Sequence, residues 1–240
     1  MSKPHWDGSH LIINLVNPTA GLFAGDHLEV SVQVCAGARA VLTSSSAARV
    51  FRAKHPAQRT EILQDIVVEG GGRLDVFPEM LIPHGGARYL QSTNIDVHAG
   101  GELFFTEALA PGRTASGETF DYDSLAFSTD LVVSGRLALS ERYCLESGSE
   151  SLRPLRRRFP NAYYASALIV SQSATGEAFQ REIDALNDTC VVAGASQPAE
   201  NVCAIKILAA NSLSLRAAIT KMRTLGYAHL GGPEPILRKL

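Results

Sequence analysis

Residues 104–120 carry Glu107, Arg113 and Glu118 in a run that starts as an apolar strand and ends in a glycine-rich turn. Pro111 removes a backbone donor, and Gly112 and Gly117 admit positive φ, so regular structure breaks here. A bend that gathers the two carboxylates and the arginine yields either an ion pair closing a loop or a set of oxygen ligands. Further carboxylates, Asp26, Glu79, Asp121 and Asp123, also fall at turns. Two of them on facing turns would suit acid–base hydrolysis of a glycosidic bond. His27, beside Asp26, and His84, before Gly85-Gly86, are weak nitrogen-ligand candidates, or loop histidines. None of the 7 histidines forms an HxH, HExxH or HxxxH pair, so no tight zinc set is expected. There is no GxSxG nucleophile motif, and no catalytic or cofactor-binding residue is assigned.

Composition narrows the classes. The chain has 240 residues, enough for a substantial core, and its formal net charge of −2 gives no general attraction to nucleic acid or an acidic membrane. No basic segment followed by an apolar run opens the chain, so no signal peptide is expected. Residues 11–16 are too few to span a bilayer. Cys35, Cys144, Cys190 and Cys203 form no CxxC pair and read as structural thiols of a cytoplasmic protein.

The elements that must hold these groups are mainly strands. Leu28, Val30, Val32 and Val34 alternate with polar residues, the period of a half-buried strand. Residues 34–42, 68–76 and 97–105 share one pattern, strand, glycine turn, charged residue, strand, and residues 133–139 form a shorter fourth copy. Each reads as a β-hairpin. Their near-regular recurrence predicts layered antiparallel sheets or a short β-solenoid-like body. Later the period turns helical at Phe179, Ile183 and Leu186, and again at Leu215, Ala218, Ile219, Met222 and Leu225. Asn211 or Ser212 would cap the second helix and Gly226 would end it. Strand-like runs lie at 189–193 and 202–208. The expected organisation is a β body over 1–160 and a small α+β section with two helices over 161–240 packed on it. Arg153, Arg156, Arg157 and Arg158 sit in the polar break between them, read as a basic loop.

Taken together, the turns resemble the urease accessory protein family UreD, also called UreH. Asn17-Pro18, Gly21 and Gly25-Asp26 with Leu28 resemble its first signature. Leu42-Thr43 with Ala47 and the order Arg49-Val50-Phe51-Arg52 resemble the second. Pro78-Glu79, Ile82-Pro83, Gly85 and Arg88 resemble the third, and Glu107, Gly112-Arg113, Gly117-Glu118 and Phe120 the fourth. Gly135-Arg136-Leu137 with Glu141-Arg142 resembles a fifth. Departures are Ala20 for a common glycine, His84 for a common aromatic and Ser45 for a frequent glutamine. The chain also begins nearer its first strand than the family usually does, so an edge strand is expected to be missing. The Arg153–Arg158 stretch matches no signature.

The resemblance implies a scaffold and metallochaperone, not an enzyme. It implies binding to the urease structural subunits and to UreF, recruitment of UreG through UreF, and nickel in transit through an internal channel, with no tightly held cofactor. Asp26, Glu79, His84, Glu107 and Glu118 then become candidates for weak, exchangeable contacts along an ion path, since a deep site would trap the ion. Arg113, Gly112 and Gly117 are expected to hold the turn. The alternatives are a carboxylate-pair carbohydrate hydrolase or lyase on a β scaffold, and a β binding module that uses no metal. A single Trp and 7% aromatics leave few rings for stacking sugars.

Overall fold

The computed structural model describes residues 3–173 and 176–237. Strands β1 (His5–Asp7) and β2 (His10–Leu15) begin one sheet, β3 (His27–Val34) opens a second, and β4 (Arg39–Ser44) returns to the first. The short β5 (Ala48–Val50) precedes β6 (Thr60–Val68) in the second sheet and β7 (Arg73–Phe77) in the first. The next circuit runs through β8 (Leu81–Pro83), β9 (Arg88–Val97) and β10 (Glu102–Leu109), and β11 (Ser124–Val133) and β12 (Arg136–Glu146) complete the second sheet. Helix α1 (Arg153–Arg158), β13 (Tyr163–Val170), helix α2 (Glu177–Asp184), strands β14 (Val191–Ala199) and β15 (Val202–Ala209), and helix α3 (Ser212–Leu230) follow. The first sheet is ordered β1-β2-β4-β7-β10-β13-β15-β14, with β5 and β8 at its side, and the second β12-β11-β9-β6-β3.

The chain is mainly β, as expected, but the body is wound differently from hairpins. Residues 34–42, 68–76 and 97–105 are arches that carry the chain from the second sheet to the first; only the fourth copy, between β11 and β12, is a hairpin. Equivalent strands of successive circuits therefore pair in parallel, and the antiparallel pairs lie toward the ends of the sheets. The valine before each glycine turn stacks on its counterpart, giving a ladder Val34–Val68–Val97–Val133. The solenoid-like alternative describes this body; layered antiparallel sheets do not. Gly71 and Gly100, at φ 76° and 80°, hold the arches open, and Gly71 N–H donates to the Gly100 carbonyl at 3.0 Å. A Cβ on Gly72 would lie 2.9 Å from the Cys35 carbonyl oxygen, so stacking itself demands glycine there.

Three layers result: helices α2 and α3, first sheet, second sheet. The first sheet is buried on both faces, which is why β7 has no exposed position and why Phe104 and Phe105 can be adjacent. Phe104 faces the helices with Phe77, Phe179 and Met222, whereas Phe105 faces the second sheet with Ile66, Ile95 and Leu131. Asn211 caps α3, its side chain accepting from Ser214 N–H at 2.9 Å. Gly226 does not end that helix. It lies inside it, where a Cβ would come within 2.5 Å of the Phe104 ring, and Gly231 is the C-cap. A buried ion pair anchors the helix to β7: Arg73 Nε lies 3.2 Å from Asp75, the guanidinium stacks 4.8 Å from the Tyr227 ring, and the Tyr227 hydroxyl donates to Asp75.

The expectation of two helices is corrected to three α-helices among the described residues. Arg153–Arg158, read as a loop, forms α1, with Pro154 in its first turn where no intrahelical N–H is needed. Six residues are too few to show a helical period.

Candidate functional site

The first sheet has a gap. Parallel pairing of β7 with β10 ends at Val76–Phe105, and pairing resumes between β8 and β10 at Leu81–Leu109. Pro78 has no N–H to donate, and residues 78–80 leave the ladder. The Glu79 N–H is instead capped by the Ser44 hydroxyl at 2.8 Å, and the Met80 carbonyl accepts from Ala48 N–H at 3.0 Å. On the other side β10 stays fully paired, Glu107 opposite Ser166 on β13. The opening is thus bordered by Pro78 and Glu79 in the link from β7 to β8 and by Thr106, Glu107 and Ala108 of β10.

These five residues line two spaces at once. Between the sheets lies a cavity of about 220 Å3, walled mostly by aliphatic side chains with Gln91 and Tyr89 among them. Under α3, on the outer face, lies a cleft of about 280 Å3 that includes Thr43, Arg216 and Thr220. Pro78, Glu79, Thr106, Glu107 and Ala108 belong to both. The Glu79 side chain is 11% exposed and meets Arg216 of α3 at 3.3 Å.

Glu107 reaches across the intersheet space. Gln91 Nε2, on β9, donates to its carboxylate, and the Tyr89 hydroxyl donates to Gln91 Oε1 at 2.6 Å, which fixes the amide orientation. The residue keeps some accessible surface, but that surface faces the cavity and cleft. Burial pushes its carboxyl up to about 7; the Gln91 hydrogen bond and Lys206 oppose this, and Glu141 adds to it. Glu107 therefore exchanges its proton near neutrality.

The second group is a turn. The backbone from Thr114 to Ser116 is a single 3-10 turn, closed by Gly117 at φ 78°. Arg113 Nε donates to Glu118 at 2.8 Å, and Gly85 N–H donates to the same carboxylate at 2.9 Å. The Arg113 hydrogen bonds hold Glu118 down at about 2. A Cβ on Gly112 would sit 2.7 Å from the Glu118 carbonyl oxygen, so the loop closes only over glycine. His84 packs edge-on to Phe51 at 4.6 Å, and burial, with the neighbouring Arg113, lowers its pKa.

Of the residues picked from sequence, Glu79 and Glu107 come together at the gap. Glu118, Arg113, Gly112, Gly117 and His84 gather at the turn. Glu118 lines neither the cavity nor the cleft, and Glu107 does not join Arg113. Asp26 stands apart, accepting from Phe23 N–H at 2.8 Å within its own turn. Among the described residues no three of His, Cys, Asp and Glu are grouped to hold a metal ion. Gln91 and Arg216 were missed from sequence. Gln91 was findable as the polar inward member of an alternating strand, whereas nothing local marks Arg216.

The fold and site define a class: a two-sheet wound β scaffold with carboxylates at an opening into its interior. A narrower assignment comes from comparison. The sequence model described as UreD urease accessory protein matches residues 1–239, and the chain belongs to that family. It is 33% identical to the urease accessory protein UreD of Opitutus terrae over 230 residues, 94% of this chain and 83% of the relative. The protein of the same name from Mycolicibacterium gilvum is 29% identical over 209 residues, 86% and 74% of the two chains. These relatives are named accessory proteins, not enzymes. Trp6, 70% exposed, lines none of the spaces described. No helix among the described residues is long and apolar enough to cross a membrane.

Proposed function

We propose that the chain serves urease maturation as a cytoplasmic scaffold and nickel metallochaperone. It binds the urease structural subunits and UreF, recruits UreG through UreF, and passes nickel through its interior toward the apo-enzyme. Family membership supports the urease context. The passage rests on one observation: Glu79 and Glu107 border an opening shared by an outer cleft and the cavity between the sheets. Carboxylates without imidazole or thiolate beside them hold nickel loosely, as cargo in transit requires. A carboxyl that ionises near 7 can release a proton as the cation arrives and take it back as the cation leaves.

The test is reconstitution of apo-urease with the accessory proteins and either Glu79→Ala or Glu107→Gln. Partner binding should be retained while the nickel content of urease falls severalfold. Full nickel content with both variants would overturn the passage reading. Loss of partner binding by both would assign these carboxylates to the fold instead.

A further inference from the structure

The arginine-rich stretch that matches no family signature borders a further hollow. α1 sets Arg156, Arg157 and Arg158 on the surface, and none of the three has a carboxylate partner among the described residues; Arg153 pairs with Glu150 at 3.0 Å. Against this helix opens a groove of about 400 Å3 whose walls include Leu155, Phe120, Tyr122, Tyr143 and Leu145. Arg156 stands over the Phe120 ring at 5.8 Å, so a cation marks the rim of the apolar surface. Tyr122, also in that wall, is 1% exposed, and its hydroxyl has no hydrogen-bond partner among the described residues.

We propose that this groove docks an acidic amphipathic segment of a partner protein. One apolar side chain seats between Leu155 and the tyrosines, and flanking carboxylates meet Arg156 and Arg157. Charge complementarity selects the acid: uncompensated guanidiniums on one short helix attract carboxylates and steer their approach. Shape selects a protein over a membrane. The apolar surface is concave, and a bilayer is engaged by side chains that protrude. Nucleic acid is disfavoured because the rings here are held in the wall rather than presented for stacking. The inference shares with the scaffold reading only that the partner is a protein. Its test measures no nickel, so either can fail alone.

The experiment is fluorescence anisotropy of the full chain with three short fluorescein-labelled peptides of equal length. One alternates Leu and Phe with Glu and Asp at helical spacing, one replaces the acids with Lys, and one replaces the apolar residues with Ser. The first should bind, more weakly as salt rises, and the other two should not. The double variant R156E/R157E, altering exposed side chains only, should weaken binding about tenfold or more. Ala162→Trp, which fills the groove, should abolish it. Equal binding of the lysine or serine peptide, indifference to R156E/R157E, or no binding at all overturns the proposal. So does preferential binding to phosphatidylserine vesicles over the acidic peptide.

Discussion

Glu107→Gln removes an ionisable group from the opening while keeping its size and its hydrogen bond from Gln91. The folded-state carboxyl ionises at about 7 against an ordinary 4.5. Because the folded value is the higher one, the folded chain holds this proton more tightly than the unfolded chain. Its favourable contribution is whole below 4.5 and is lost as pH rises through about 7. Above that, the native state carries a buried charge. The shift corresponds to about 3 kcal/mol at roughly 1.4 kcal/mol per unit, an upper bound because the cavity has room for water against the ionised form. Glutamine never ionises. The stability of Glu107→Gln relative to the parent should therefore climb by about 2–3 kcal/mol between roughly pH 5 and pH 8. Urea unfolding followed by circular dichroism across that range measures it. A difference independent of pH would refute the reasoning, since it would mean that Glu107 titrates alike folded and unfolded.

Other expectations follow from the same packing. Arg73→Leu leaves Asp75 buried between β7 and α3 without its ion-pair partner, and should cost about 3–5 kcal/mol in urea unfolding. Gly226→Ala forces a methyl against the Phe104 ring, so a loss of about 1–3 kcal/mol is expected, relieved when Phe104→Leu is added. Arg113→Ala should change stability little at neutral pH, because the arginine of its pair with Glu118 is 41% exposed. The contribution of Glu118 is present above 4.5 and lost as pH falls through about 2, so thermal melts of parent and Arg113→Ala should converge in acid.

How much of this was legible beforehand depends on the range of the interaction. The alternation of Leu28, Val30 and Val32 gave β3 because one face of the second sheet is open to water and the period is local. The recurrent glycines were visible too, but hairpin and arch share the same turn residues. What separates them is whether Val34 pairs back along its own turn or stacks on Val68, which no short stretch encodes. β13 was missed because a strand buried on both sides lacks the alternation of apolar and polar residues, Ser166 being its one polar interruption. The turn of Arg113 and Glu118 was readable, its partners being five positions apart. Glu107 was singled out, but its partner Gln91 lies on the opposite sheet, and Arg216 reaches Glu79 from a helix 137 positions away. Those meetings are set by how the circuits stack.

The central claim is passage through the first sheet, and Ala108→Trp tests it with both carboxylates untouched. Ala108 borders the cleft and the cavity, so an indole there plugs the opening. The measurement is nickel per urease active site after maturation with this variant, alongside co-purification of the accessory complex. The passage account predicts an intact complex and urease low in nickel. An intact complex that delivers fully loaded urease would contradict it.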